Sequence, residues 1–184
     1  MPTARKAAPA TRSFDLDHSA IERAKKSLDD GVVTPALRLP KEQLIKHLND
    51  SLATELVCVL RYRRHHFTIE GAALARIKEE LLVHSKEEQA HADRIAERIV
   101  QLGGSPNFKP SSLEERSHAD YDDHESLEKI VRSNLSAERG AIETYRQLIA
   151  LIGDQDPTTR HMLTEILADE EEHADELKDW MTLK

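Results

Sequence analysis

Apolar residues recur at helical spacing in four long segments of this chain, and each stripe is interrupted by ionisable residues. Leu48, Leu52, Glu55, Val59 and Tyr62 follow alternating steps of four and three, as do Ile77, Leu81, His84, Glu88, His91 and Ile95. Leu127, Val131, Leu135, Glu138, Ile142, Tyr145 and Ile149 form a third stripe, and Leu163, Ile166, Glu170, His173 and Leu177 a fourth. Four amphipathic helices are predicted, with Glu55, Glu88, His91, Glu138, Glu170 and His173 at positions that belong to apolar side chains. Uncompensated, each buried charge costs on the order of several kcal/mol, against a net stability of roughly 5–15 kcal/mol for a whole domain. Something must neutralise these groups, and metal ions are the natural compensation.

The order of these residues repeats. Glu55 and Glu138 are 83 positions apart, as are Tyr62 and Tyr145; Glu88 and Glu170 are 82 apart, as are His91 and His173. Two similar helical hairpins follow. Glu55 lies 16 residues before Gly71 and Glu88 lies 17 after it, so a turn there brings both carboxylates to one level. Glu138 and Glu170 stand in the same relation to Gly153, where Asp154, Asp156 and Pro157 supply a stop and a new start.

Boundaries come from the breakers. Pro40 starts the first long helix, over about residues 40–70, and the second covers about 72–102. Gly103, Gly104, Pro106 and Pro110 stop the second, and regular periodicity resumes only near Glu125, leaving a connector of about 20 residues. Extended, it outreaches a 30-residue helix of about 45 Å, so the third helix can run parallel to the second. Residues 1–39 form an N-terminal extension: a basic start with Arg5, Lys6 and Arg12, expected to be disordered, then a short helix over Asp15–Asp30. Residues 40–184 form the bundle.

Composition narrows the function. At 184 residues with 4% aromatics, the chain suits one all-α domain. A net charge of −8 opposes a dedicated nucleic-acid binder and draws cations. The three tail cations leave the rest at −11, so weak DNA binding at most is expected. One cysteine, Cys58, excludes an intramolecular disulfide and Cys-x-x-Cys metal sites, which fits a reducing cytoplasm, and its place beside the seam makes it a packing residue. Neither a membrane span nor a secretory leader is read in the chain.

On a helix, residues three apart share a face, so Glu88-x-x-His91 and Glu170-x-x-His173 each aim a carboxylate and an imidazole at one point. Four carboxylates cancel the formal +4 of two divalent ions, and oxygen with imidazole ligands suits Fe(II) or Mn(II), with Zn(II) as a possible substitute. The set is read as neutral only when two metals are bound. A single Glu-x-x-His is more often a solvated stretch; two copies on buried seams, each with a further seam glutamate, are a two-metal constellation.

These residues, with NDSLATELVCVLRY at 49–62, EEQAHADRIAERI at 87–99, GGSPN at 103–107 and ILADEEEH at 166–173, resemble the ferritin-like superfamily, and bacterioferritins most closely, over about residues 43–180. The resemblance implies a ferritin-like four-helix bundle of two hairpins joined by a long crossover. It implies a ferroxidase that oxidises Fe(II) with O2 or H2O2 and stores Fe(III) in a cage. In it Glu55 and Glu138 are terminal ligands, Glu88 and Glu170 bridge, His91 and His173 bind one iron each, and Tyr62 stands beside the centre with a candidate catalytic role. Two departures accompany it. Gln89 stands where bacterioferritins carry the haem methionine, so haem is not expected there, and the chain ends 11 residues after His173, without the fifth helix. The length resembles the mini-ferritins of the Dps type, so a twelve-subunit cage is expected, with a 24-mer as alternative. A di-manganese catalase, a di-iron oxidase without storage, and a DNA-protecting protein are the competing functions.

Other residues carry plainer expectations. Arg63-Arg64-His65-His66 is read as a solvated final helical turn rather than an entry patch. His84 is either a core-edge residue or an accessory ligand, with the former favoured. His118, His124 and His161 are expected at the surface, and Tyr62 and Tyr145 are expected to pack with their hydroxyls on ligand carboxylates.

Overall fold

The computed structural model describes residues 15–71 and 74–182. The basic start, with Arg5, Lys6 and Arg12, lies outside the described residues. Among those described, the elements are all helical: α1 (His18–Ala24), α2 (Lys41–Thr68), α3 (Ala75–Gln101), the short α4 (Leu113–Arg116), α5 (Leu127–Ile152) and α6 (Pro157–Trp180). The four long helices stand where the four stripes place them. Gly71, at φ 119°, follows α2, and Gly153, at φ 53°, ends α5; glycine adopts these left-handed backbones without a Cβ penalty. Pro157 opens α6, whose N-cap Asp156 accepts from Thr159 N at 3.0 Å. The same carboxylate takes two bonds from Arg98 Nη2, at 2.9 and 3.0 Å, which ties the start of α6 to the end of α3.

The extension departs from expectation. The segment Asp15–Asp30 is not one helix: α1 covers His18–Ala24, and a separate turn of 3₁₀ helix covers Leu28–Asp30. Neither buries a residue, and a helix this short is marginal without packing on an apolar face.

The hairpins are α2 with α3 and α5 with α6. Two apolar clusters hold them together. One contains Leu48, Leu52, Ile95, Ile99, Leu148, Leu163 and Ile166, and the other Cys58, Ile69, Ile77, Leu81 and Ile130. Each fully buried aliphatic side chain contributes about 1.5–3 kcal/mol. The six ionisable seam residues lie between the clusters in sequence register along every helix, so apolar packing closes the polar layer from both ends.

The crossover is fastened rung by rung to α2. Asn49 Oδ1 accepts from Asn107 N at 2.7 Å, Thr54 Oγ1 from His118 N at 2.9 Å, and Asp120 O from Arg61 Nη1 at 2.9 Å; His65 Nε2 then meets Asp122 Oδ1 at 3.1 Å. The connector thus climbs α2 from its start to its end, and α5 begins where α3 began and runs parallel to it. Arg61 is fully buried, and its Nε also donates to Asn134 Oδ1 on α5 at 2.8 Å. Each of these acceptors would cost about 1–3 kcal/mol if left bare, so one guanidinium joins α2, the crossover and α5.

Two further expectations are corrected here. His65 and His66 are buried, not solvated: His65 bonds Asp122 and Asn134, and His66 Nδ1 lies 2.7 Å from Lys78 O. Of these four only Arg63 is exposed, while Arg64 stands 3.9 Å from Glu125. The crossover and α3 cover this end of α2. On α5 the buried face is Ile130, Val131, Asn134, Ala137, Glu138, Ala141, Tyr145, Leu148 and Ile152, while Leu135, Ile142 and Ile149 are only half-buried. Leu135 and Ile142 line an outer groove between α5 and α6, because small residues at 137 and 141 let α5 turn that edge toward the bundle.

Candidate metal centre

Each long helix delivers its seam residues to one layer. Glu55 comes from α2, Glu88 and His91 from α3, Glu138 from α5, and Glu170 and His173 from α6, all buried. Their ligand atoms fall into two groups, each with one atom per residue within 4.8 Å of the others: Glu55, Glu88, His91 and Glu170, and Glu88, Glu138, Glu170 and His173. Glu88 and Glu170 belong to both. Shared carboxylates between two half-sites are what bridging requires.

The halves are related crosswise. His91 Nδ1 lies 3.3 Å from Glu170 Oε1, 3.4 Å from Glu55 Oε2 and 3.8 Å from Glu88 Oε2. His173 Nδ1 lies 3.6 Å from both Glu88 Oε1 and Glu170 Oε2, and 4.0 Å from Glu138 Oε2. The hydroxyl of Tyr62 on α2 donates to Glu138 on α5, and that of Tyr145 on α5 donates to Glu55 on α2. The tyrosines were expected to hold carboxylates, and each holds one in the opposite hairpin.

Two orienting residues were missed. His91 Nε2 meets Asp169 Oδ2 at 3.1 Å, and His173 Nε2 meets Glu87 Oε2 at 2.9 Å. These outer carboxylates turn both Nδ1 atoms inward. Glu87 and Asp169 are themselves 82 positions apart and each precedes a shared glutamate, so the repeat carried their signal.

Burial and mutual repulsion decide the protons. Burial, then the Glu170 and Glu88 carboxylates, push Glu55 well above the ordinary carboxylate range, and burial with Glu88 and Glu170 does the same to Glu138. Burial also raises Glu88 and Glu170, but the imidazoles of His173 and His91 outweigh it and hold both below their ordinary values. Burial lowers His91 and His173, and the carboxylates around each more than reverse this. Burial and charge thus favour the protonated form of Glu55, Glu138, His91 and His173 and the carboxylate form of Glu88 and Glu170. Protons so placed offset the charge of the carboxylates.

Eight buried side-chain nitrogen or oxygen atoms among the described residues have no hydrogen-bond partner, and six of these belong to Glu55, Glu88, His91, Glu170 and His173. Unpaired polar atoms of this kind are costly, and here they converge on one volume. Divalent ions fit: they would satisfy those atoms and displace the protons.

Around the centre, Cys58 is buried, and burial pushes its thiol well up, consistent with packing. Gln89 donates to Asp93 at 2.9 Å. His118, His124 and His161 are exposed, as expected. His84 is buried against Tyr62 and His173 and borders a surface groove with Glu80, Glu87 and Glu176, at the edge of the core as expected.

An all-α bundle whose interior joins two hairpins through a buried Glu/His site defines a ferritin-like protein with a two-metal carboxylate site. Residues 45–183 match the family model of the ferritin-like domain, and the chain belongs to that family. It is 34% identical over 146 residues to the nutrient stress-induced DNA-binding protein of Nostoc sp., covering 74% of this chain and 78% of that protein. It is 30% identical over 147 residues to the bacterioferritin of Mycobacterium leprae, covering 76% and 84%. Among solved structures, the bacterioferritin-related dodecameric thioferritin of Bacteroides fragilis superposes with a TM-score of 0.75 at 32% identity, covering 89% of this chain and 94% of that one. Among the described residues no helix is long and apolar enough to cross a membrane.

Proposed function

We propose that this protein is a ferroxidase that stores or detoxifies iron in a cytoplasmic cage. The observation that carries the reading is the pair of half-sites sharing Glu88 and Glu170. Fe(II) is the substrate, and two ions together supply the two electrons that reduce O2 to H2O2 or H2O2 to water. Glu55 and His91 would hold one ion and Glu138 and His173 the other, with Glu88 and Glu170 shared between the half-sites. Tyr62 and Tyr145 fix the terminal carboxylates. Mn(II) or Zn(II) would fit the same ligands, so a di-manganese catalase or a di-iron oxidase shares the geometry.

Storage needs an enclosed space, which one bundle lacks. The dodecameric relative supports a twelve-subunit cage, and Leu60 and Phe67, exposed one above the other on α2, offer apolar surface for such an assembly. Native mass spectrometry is expected to show twelve chains, and aerobic Fe(II) addition is expected to load many more ions than the two per chain of the centres. A stable dimer that turns over peroxide and forms no mineral would transfer the assignment to catalase or oxidase.

DNA protection is the second reading, favoured by the DNA-binding relative in Nostoc sp.. The net charge of −8 works against it, leaving only the tail cations. Little gel shift is expected at physiological salt. A strong shift that disappears on deleting residues 1–12 would raise this reading to equal rank.

A further inference from the structure

His84 is outside the ligand set yet stands at a junction of rings. Its imidazole stacks on His173 with centroids 4.2 Å apart and planes 25° apart. On Trp180 the centroids are 5.9 Å apart and the planes 7° apart. The edge contact with Tyr62 is 5.2 Å, and Nε2 is held by Glu176 at 2.9 Å. Trp180, the only tryptophan of the chain, ends α6 half-buried and borders a surface groove with Leu127, Val131 and Met181. Ring contacts therefore run without a gap from the inward-facing imidazole of His173 to the molecular surface. At most about 10 Å separates the centroids of His173 and Trp180.

Electron transfer weakens steeply with distance and is fast across one or two ring contacts. Indole is among the most readily oxidised side chains; neutral imidazole is not, but it fills the space with coupled orbitals. When iron is scarce, a centre that holds a single Fe(II) meets peroxide with one electron where two are needed. The missing electron is what releases hydroxyl radical.

We propose that Trp180 donates an electron to the metal centre through the stacked rings of His84 and His173, supplying the second electron when peroxide meets a singly filled site. The Fe(II) becomes Fe(III), and the indole loses one electron and its N–H proton. Those two electrons, with that proton and one from solvent, convert H2O2 to two waters. The unpaired electron is left on Trp180, at the surface end of the stack and away from the ligands. This inference rests on the ferroxidase reading.

The test mixes the full-length assembled protein, loaded anaerobically with one Fe(II) per chain, with H2O2. Samples are freeze-quenched for electron paramagnetic resonance while iron oxidation is followed optically. A radical is expected whose spectrum narrows when the protein carries ring-deuterated tryptophan. Trp180→Phe is expected to lose it and to raise hydroxyl-radical spin-trap adducts, while oxidising iron at the wild-type rate when two Fe(II) are loaded. His84→Leu keeps the indole but breaks the stack, and is expected to slow the radical's appearance severalfold. Iron oxidation without a tryptophan radical in the wild-type protein, or a radical formed equally fast in His84→Leu, overturns the proposal. Failure to oxidise iron at all would sink the ferroxidase reading instead. The isotope experiment needs no variant, so misfolding of Trp180→Phe leaves the proposal open to refutation.

Discussion

Glu88→Ala and Glu170→Ala are each expected to abolish rapid Fe(II) oxidation in stopped-flow mixing while the helical circular dichroism survives. Each carboxylate belongs to both half-sites, so a single truncation damages both ion positions and the link between them. The loss should exceed about 100-fold, because residues that only orient ligands already cost about 10–100-fold. Glu87→Gln and Asp169→Asn, which touch only the outer nitrogens of His173 and His91, are the comparison and should fall in that milder range. Truncation also withdraws one counter-charge from two buried imidazoliums. Two other glutamates stay close to each Nδ1, and a histidine can give up its proton, so the bundle is expected to fold with lowered stability. Wild-type rates in both alanine variants would remove the centre assigned here.

The second large effect joins metal, protons and stability. Metal-free, His91 and His173 have folded-state values raised above 6.5, so their contribution is complete below about pH 6.5 and is lost as pH rises toward the folded values. Glu55 and Glu138, raised above 4.5, act in the same sense: they favour folding while protonated and withdraw that support as pH climbs through their raised values. Glu88 and Glu170 are depressed, so their contribution is already complete above about pH 4.5 and is lost only in acid. The metal-free protein should therefore weaken from about pH 6 to pH 8. Metal does the opposite, since it competes with the protons on Glu55, Glu138, His91 and His173, and the competition eases as pH rises.

Zn(II), which is redox-inert, should raise the melting temperature by roughly 10 °C at about a thousand times its dissociation constant. The gain should widen toward pH 8 and shrink toward pH 5. Binding should release protons, approaching four per pair of ions where all four groups start protonated. Thermal melts with and without Zn(II), and titration in weakly buffered solution, measure both. A melting temperature indifferent to metal at neutral pH would mean that the six residues do not act as one site. A gain independent of pH would remove the proton-displacement account.

The long helices and the six-residue constellation were readable because helical periodicity assigns a face to every residue without knowledge of the neighbours. A glutamate in phase with Leu48 and Leu52, or with Leu163 and Ile166, must go where they go, and the offsets of 82 and 83 made that argument twice. The turn arithmetic around Gly71 and Gly153 then brought all four helices to one level. Proton positions were not readable in this way. The sequence supplied four acids and two bases, but which acids favour a proton depends on distances between side chains of different helices, among them the crosswise approach of His91 and His173 to Glu88 and Glu170.

The same limit explains His65, His66 and His84. A run of two arginines and two histidines at a helix end carries the composition of a solvated turn, and only the path of the crossover along α2, pinned by Asn49, Thr54 and Arg61, shows that the end is covered. His84 lies on its seam like any core residue, but its place between His173 and Trp180 arises from α3 packing against α6, 96 residues apart in the chain at the Trp180 contact. Periodicity determined which face of α2, α3 and α6 points inward, and on α5 only part of that face. Which side chains meet across that interior, and so where protons and electrons can move, was decided by the packing of one helix on another, because those forces act through distances that no single helix contains.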